Sequence, residues 1–178
     1  MHWSARSVAS ISRSRAFISG TASFRLARTE AWQASVARLE DVLRVMGPPA
    51  MRWQEPDGAL QLAYPRGPMG VHSYMAFIGT DGELQRIENV MDRSAFSRIQ
   101  AGMSKQQVLR ILGPSWPDWT VYFKARDELV WEWRYCDEWN ELARFDVLFD
   151  ARKEIVRSTL SLTESQMGLC KQGCWCSR

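Results

Sequence analysis

A chain of 178 residues and 20.5 kDa has room for one ordinary domain or two small ones, and 46% hydrophobic with 24% charged residues excludes a disordered or collagen-like chain. Mean hydropathy is −0.32 and no apolar run approaches the ~18–20 residues of a bilayer-spanning helix, so any membrane attachment is expected to be peripheral; two histidines, His2 and His72, are too few for a histidine-rich metal centre. The net charge of +3 comes from residues 1–28, which hold five arginines and no acid, while the rest carries 18 basic against 20 acidic residues, so a nucleic-acid partner is not expected.

Residues 1–28 are rich in Ser and Arg and lack the roughly 7–15-residue apolar core of a secretory signal. They read as a disordered tail, as an organellar transit segment, or as the product of a misassigned start codon. Beyond them the chain repeats itself. Val42-Leu43-Arg44-Val45-Met46-Gly47-Pro48 recurs as Val108-Leu109-Arg110-Ile111-Leu112-Gly113-Pro114, with five identities in seven. In the second copy Ser104, followed three residues later by Gln107, predicts a capping box that starts a helix; Val108, Leu109, Ile111 and Leu112 give it one apolar stripe. Gly113 is then expected at a left-handed helix end and Pro114 to stop the helix, as Gly47 and Pro48 do in the first copy. The segment 28–46 is expected to be helical in the first copy, and a short helix over 93–99 to precede Gly102 and Met103 in the second.

After each heptapeptide the period changes to two, which marks strands. Leu60, Leu62 and Tyr64 alternate with Gln61 and Ala63, as Leu129, Trp131 and Trp133 alternate with Val130 and Glu132. The segments 74–78 and 145–149 follow, then turns, then strands beginning at Leu84 and Ile155. Each copy therefore predicts a helical layer over three antiparallel strands, an α+β fold in tandem: residues 29–92, residues 93–162, and a Cys-containing tail over 163–178.

The run from Gly102 through Met103 and Ser104 to Gly113 and Pro114, with Val130-Trp131-Glu132-Trp133-Arg134-Tyr135 and Phe145-Asp146-Val147-Leu148-Phe149-Asp150, resembles the SmpA/OmlA family, also called BamE. Residues 98–162 carry the resemblance, and 38–92 look like a degenerate copy; the tandem architecture is also similar to the secreted β-lactamase inhibitor protein. The family contains small lipoproteins of the bacterial outer-membrane β-barrel assembly machinery. The resemblance implies a protein partner in that machinery, a location at the periplasmic face of the outer membrane, and peripheral membrane association through a lipidated N-terminus upstream. Two departures stand out: the first cysteine of this chain is Cys136, and Val36-Ala37-Arg38 stands where the second copy has Gly102-Met103-Ser104.

Cys170, Cys174 and Cys176 form a C-x3-C-x-C pattern unlike the paired spacing of structural zinc, so no metal or cofactor is expected. With Cys136 they allow three full disulfide connectivities, and a disordered or aberrant tail is the leading alternative. Trp131 and Trp133 share a face with Leu129 and read as core. Trp116 and Trp119 sit in a Pro-rich loop where no core period accounts for them, and are interaction candidates. Asp146 and Asp150 fall about 13 Å apart on one strand face, too far for paired-carboxylate hydrolysis, and read as solvated. His72 has no nucleophile motif beside it, and phosphate-binding loops are missing, so no enzyme is expected. The face carrying Met75 and Phe77, with Gln61 and Ala63, is more apolar; it is either a partner-binding surface shared with the Trp116/Trp119 loop or an interface buried between the two copies. The expected function is a non-catalytic cell-envelope binding protein, with a secreted or periplasmic inhibitor of a hydrolase as the alternative.

Overall fold

The computed structural model describes residues 37–67, 69–170 and 173–176; the expectations for residues 1–28, and for helix before Ala37, lie outside the described residues. The order is α1 (Leu39–Met46), β1 (Met51–Gln54), β2 (Leu60–Pro65), β3 (Ser73–Ile78), β4 (Leu84–Asn89), α2 (Arg93–Ser97), α3 (Lys105–Leu112), β5 (Val121–Phe123), β6 (Glu128–Cys136), β7 (Leu142–Asp150) and β8 (Ile155–Thr163). Strands β1–β4 form one antiparallel meander and β5–β8 another. The fold is α+β as expected, with four strands per sheet rather than three. The strands that sequence reading omits, β1 and β5, are four- and three-residue edge strands, too short to display a period.

Both long helices start and stop by local chemistry. Ser104 Oγ accepts from the Gln107 amide at 3.3 Å and Gln107 Oε1 accepts from the Ser104 amide at 2.8 Å, the expected capping box. In α1 the Asp41 carboxylate takes the Arg38 amide at 3.0 Å. Gly47 and Gly113 end the helices at φ 80° and 74°, with ψ −168° and −175°. They are at positive φ as expected but not in the left-handed helical well, because a following proline drives the preceding residue to extended ψ.

The two copies expected from the sequence pack against each other over one core. The described residues form one compact unit. Ala63 and Met75 of the first sheet join Val108 and Leu112 of α3, Ala95 and Phe96 of α2, and Phe145, Val147 and Phe149 of the second sheet in one apolar cluster. Helix α3 thus lies between the sheets. The other face of the first sheet is buried too, through Leu60, Leu62, Ala76 and Ile78, and Val42 of α1 has no exposed surface.

The described residues of the C-terminal segment, 163–170 and 173–176, are held by contacts rather than loose as a disordered tail. Disulfides join Cys136 to Cys176 and Cys170 to Cys174. The Leu142 amide donates to Cys174 O at 2.6 Å, and Cys176 donates to Asn140 O at 2.9 Å. This seats the tail against the β6–β7 turn.

Candidate functional site

Two loops meet over one end of β6. The β2–β3 loop carries Arg66 and His72, and Gly113-Pro114 turns the chain out of α3 into a loop where Pro117 opens a 3-10 turn over Pro117–Trp119. Between them lies a cavity of about 290 Å³ lined by Arg66, His72, Trp116, Trp119, Trp133 and Arg134, among others. Trp116 remains 38% exposed, its indole N–H fixed on Asp118 Oδ2 at 3.1 Å. Trp119 is half-buried, with the Arg144 guanidinium 4.1 Å from its ring centroid, a cation–π contact. The Trp133 indole nitrogen is buried without a hydrogen-bond partner. Burial, and then the neighbouring Arg66 charge, lower the His72 pKa, so the imidazole is neutral at pH 7.

The floor of this region is a chain of ion pairs on the outer face of the second sheet. Arg134 grips Glu164 through two hydrogen bonds, at 2.6 and 2.8 Å; Arg144 adds a third at 2.7 Å and also pairs with Glu132. Side-chain exposures in this network run from 6% to 16%, so these charges are nearly buried and paired; Asp146 and Asp150, expected to be solvated, are corrected to half-buried. Pairing is required there, because an isolated buried charge costs several kcal/mol, roughly. Arg134 also donates to Met69 O at 3.0 Å, which ties the β2–β3 loop to the second sheet. Hydrogen bonds from Arg134 and then Arg144 hold the Glu164 carboxyl below its ordinary range. Asp146, cross-strand from Glu132, is pushed up to about 7 by burial and then by the Glu132 charge. Asp150, by contrast, is lowered to about 2 by the Lys153 amide and Arg157. The two aspartates therefore differ in environment as well as position.

The remaining sequence candidates fall into structural roles. The Gly102 amide, at φ 88°, donates to Val156 O at 2.8 Å, and Met103 O accepts the Val156 amide at 2.8 Å, so Gly102-Met103-Ser104 fastens the start of α3 to β8. Gly47 faces open space, and Pro48 is exposed beyond it. Gly113 packs where an added Cβ would meet Ser73 Oγ at 3.3 Å and Met75 Cε at 3.4 Å; half-buried Pro114 follows and lines the cavity. Met75 is fully buried beneath α3, which corrects its expectation as a partner contact and agrees with the alternative that this face is buried between the two copies. Phe77 is half-buried, with Arg86 stacked 3.6 Å from its ring centroid. Only Trp116 and Trp119 among the proposed contacts lie at the cavity. Sequence reading missed Glu164, Arg134 and Arg144. Two arginines facing each other across β6 and β7 demand an acid, but nothing local marks Glu164 as that acid. Glu164, Cys170 and Cys174 place ligand atoms within 4.8 Å of one another, yet the thiols are bonded to each other and the carboxylate is held by two arginines, which does not fit a metal.

No protein-family model matches this chain, and no curated protein does. Among solved structures, an extracellular protein containing an SCP domain from Bacillus anthracis str. Ames is similar at 9% identity and a TM-score of 0.30, over 89% of this chain and 52% of that one. This chain thus spans about half the length of that structure. A TM-score that low establishes nothing about fold or function.

Proposed function

We propose that this protein is a non-catalytic binding protein of the bacterial cell envelope, a duplicated helix-and-sheet unit resembling BamE-like assembly factors, that engages a protein partner through Trp116 and Trp119. The observation that carries the reading is Trp116: a large aromatic ring, 38% exposed, held by Asp118 at the mouth of a cavity whose walls are fixed by buried ion pairs. Preorganised aromatic anchors of this kind dominate protein interfaces. Duplication is supported by Gly47-Pro48 and Gly113-Pro114, which end the two long helices with the same backbone geometry, each ahead of a four-stranded meander. Two disulfides with no free cysteine among the described residues suit an oxidising compartment such as the periplasm. That feature serves a secreted hydrolase inhibitor equally well.

The test is envelope fractionation followed by co-purification with the wild-type chain and Trp116→Ala. Recovery of outer-membrane assembly components, lost in the variant while its melting temperature holds, supports the reading. A soluble complex with a hydrolase supports the alternative, and capture unchanged by the variant removes the Trp116 surface from consideration.

A further inference from the structure

Away from the Trp116 loop, a cavity of about 700 Å³ among the described residues opens between α2 and β8 under the β6–β7 turn. Its size is within the ~300–1,000 Å³ of small-ligand sites. Its lining departs from the rest of the core face of this sheet. On β7 that face is Ala143, Phe145 and Val147, all buried; their cross-strand partners on β8 are Thr163, Ser161 and Thr159. The face therefore changes from hydrocarbon to a ladder of hydroxyls where the five-residue helix α2 no longer covers it. Tyr135 brings a phenol to the same wall, hydrogen-bonded to Ser161.

At the rim stands Trp139, 81% exposed. No packing accounts for it, and its turn is rigid. Asp137 Oδ1 accepts from the Trp139 and Glu141 amides at 2.9 and 2.8 Å, Asn140 takes φ 64°, and Asn140 O accepts from Cys176, which is disulfide-linked to Cys136 at the base of the turn. An indole face on a stapled turn, beside a cleft lined with hydroxyls, offers stacking to an apolar ring face and hydrogen bonds to the ring's edge. A sugar ring presents that combination. The charges around the cleft are Asp92, Asp137 and Glu138 against Arg93, with Arg93 and Glu138 paired at 3.2 Å. This negative balance rejects anionic ligands.

We propose that this cleft is a binding site for a neutral oligosaccharide, with Trp139 as the stacking platform and the β8 hydroxyl ladder as the polar wall. The site is separate from the Trp116 surface and does not depend on the protein-partner reading. Calorimetric titration of the full chain with chitotriose, cellotriose and maltotriose, and with trigalacturonate as an anionic probe, tests it. At least one neutral trisaccharide is expected to bind more tightly than trigalacturonate. Trp139→Ala is expected to weaken that binding about tenfold, ~1.4 kcal/mol, without lowering the melting temperature, and Thr159→Val, which keeps shape and removes a hydroxyl, to weaken it as well. Failure of all three neutral sugars to bind, equal affinity for trigalacturonate, or affinity unchanged in Trp139→Ala would each overturn the proposal; so would capture of a protein through Trp139 with no sugar bound.

Discussion

Gln61 and Arg110 hold each other across the two halves of the chain: Gln61 Nε2 donates to the Arg110 carbonyl at 2.6 Å, and Arg110 Nη1 donates back to Gln61 Oε1 at 3.3 Å. The last carbonyls of a helix have no partner within it, and at the end of α3 they are supplied by the first sheet, Arg110 O by Gln61 and Leu112 O by Ser73 Oγ at 3.3 Å. Replacing Gln61 by Leu leaves a carbonyl without a donor and is expected to cost ~1–3 kcal/mol, measured by urea unfolding. An unchanged midpoint would mean that water substitutes for the amide.

The two glycine-proline stops predict unequal losses. Both glycines hold positive φ with extended ψ, a region close to glycine-only, so alanine at either costs about 1–3 kcal/mol in strain. Gly47 has nothing within 4 Å of an added Cβ, whereas Gly113 meets Ser73 and Met75, so Gly113→Ala should be the more destabilising. Equal losses would show that the packing at Gly113 relaxes freely.

Asp146 predicts a pH dependence of fixed sign. A carboxyl whose folded pKa is raised from 3.8 to about 7 binds its proton more tightly in the folded state, so its contribution to stability declines as pH rises from about 4 to about 7 and is level above. Glu164, lowered in the folded state, acts in the opposite sense: its contribution is present above its ordinary pKa of 4.5 and is lost as pH falls below that. Asp146→Asn is expected to raise stability at about pH 8 by ~2 kcal/mol, half-burial discounted, and to change it little below about pH 4. Parallel pH profiles of wild type and variant would show that Asp146 is ionised in the fold throughout.

The disulfide Cys136–Cys176 closes a loop with sequence separation 40, and in the chain-entropy account such a crosslink stabilises by ~4 kcal/mol. Replacing both cysteines by serine should lower the denaturant midpoint and raise amide exchange in the β6–β7 turn, where Leu142 donates to Cys174 O. Unaltered protection there would mean that hydrogen bonds alone seat the tail.

The sequence by itself determined what depends on near neighbours. Ser104 and Gln107 start α3 from three residues apart, Gly47 and Gly113 before proline stop helices wherever they stand, and the alternation of Phe145, Val147 and Phe149 sets the core face of β7. Only the tertiary structure decided which surfaces those elements cover. The face of Met75 and Ala63 reads either as a partner surface or as an interface between the copies until α3, far along the chain, lies on it, and Asp146 reads as solvated although Glu132, Arg134, Arg144 and Glu164 form a buried ion-pair network beside it. Local pattern reports which side of an element is apolar; which partner buries it, and whether a charge meets its counter-ion, depends on contacts between residues distant in the chain, and no spacing of residues along it records them.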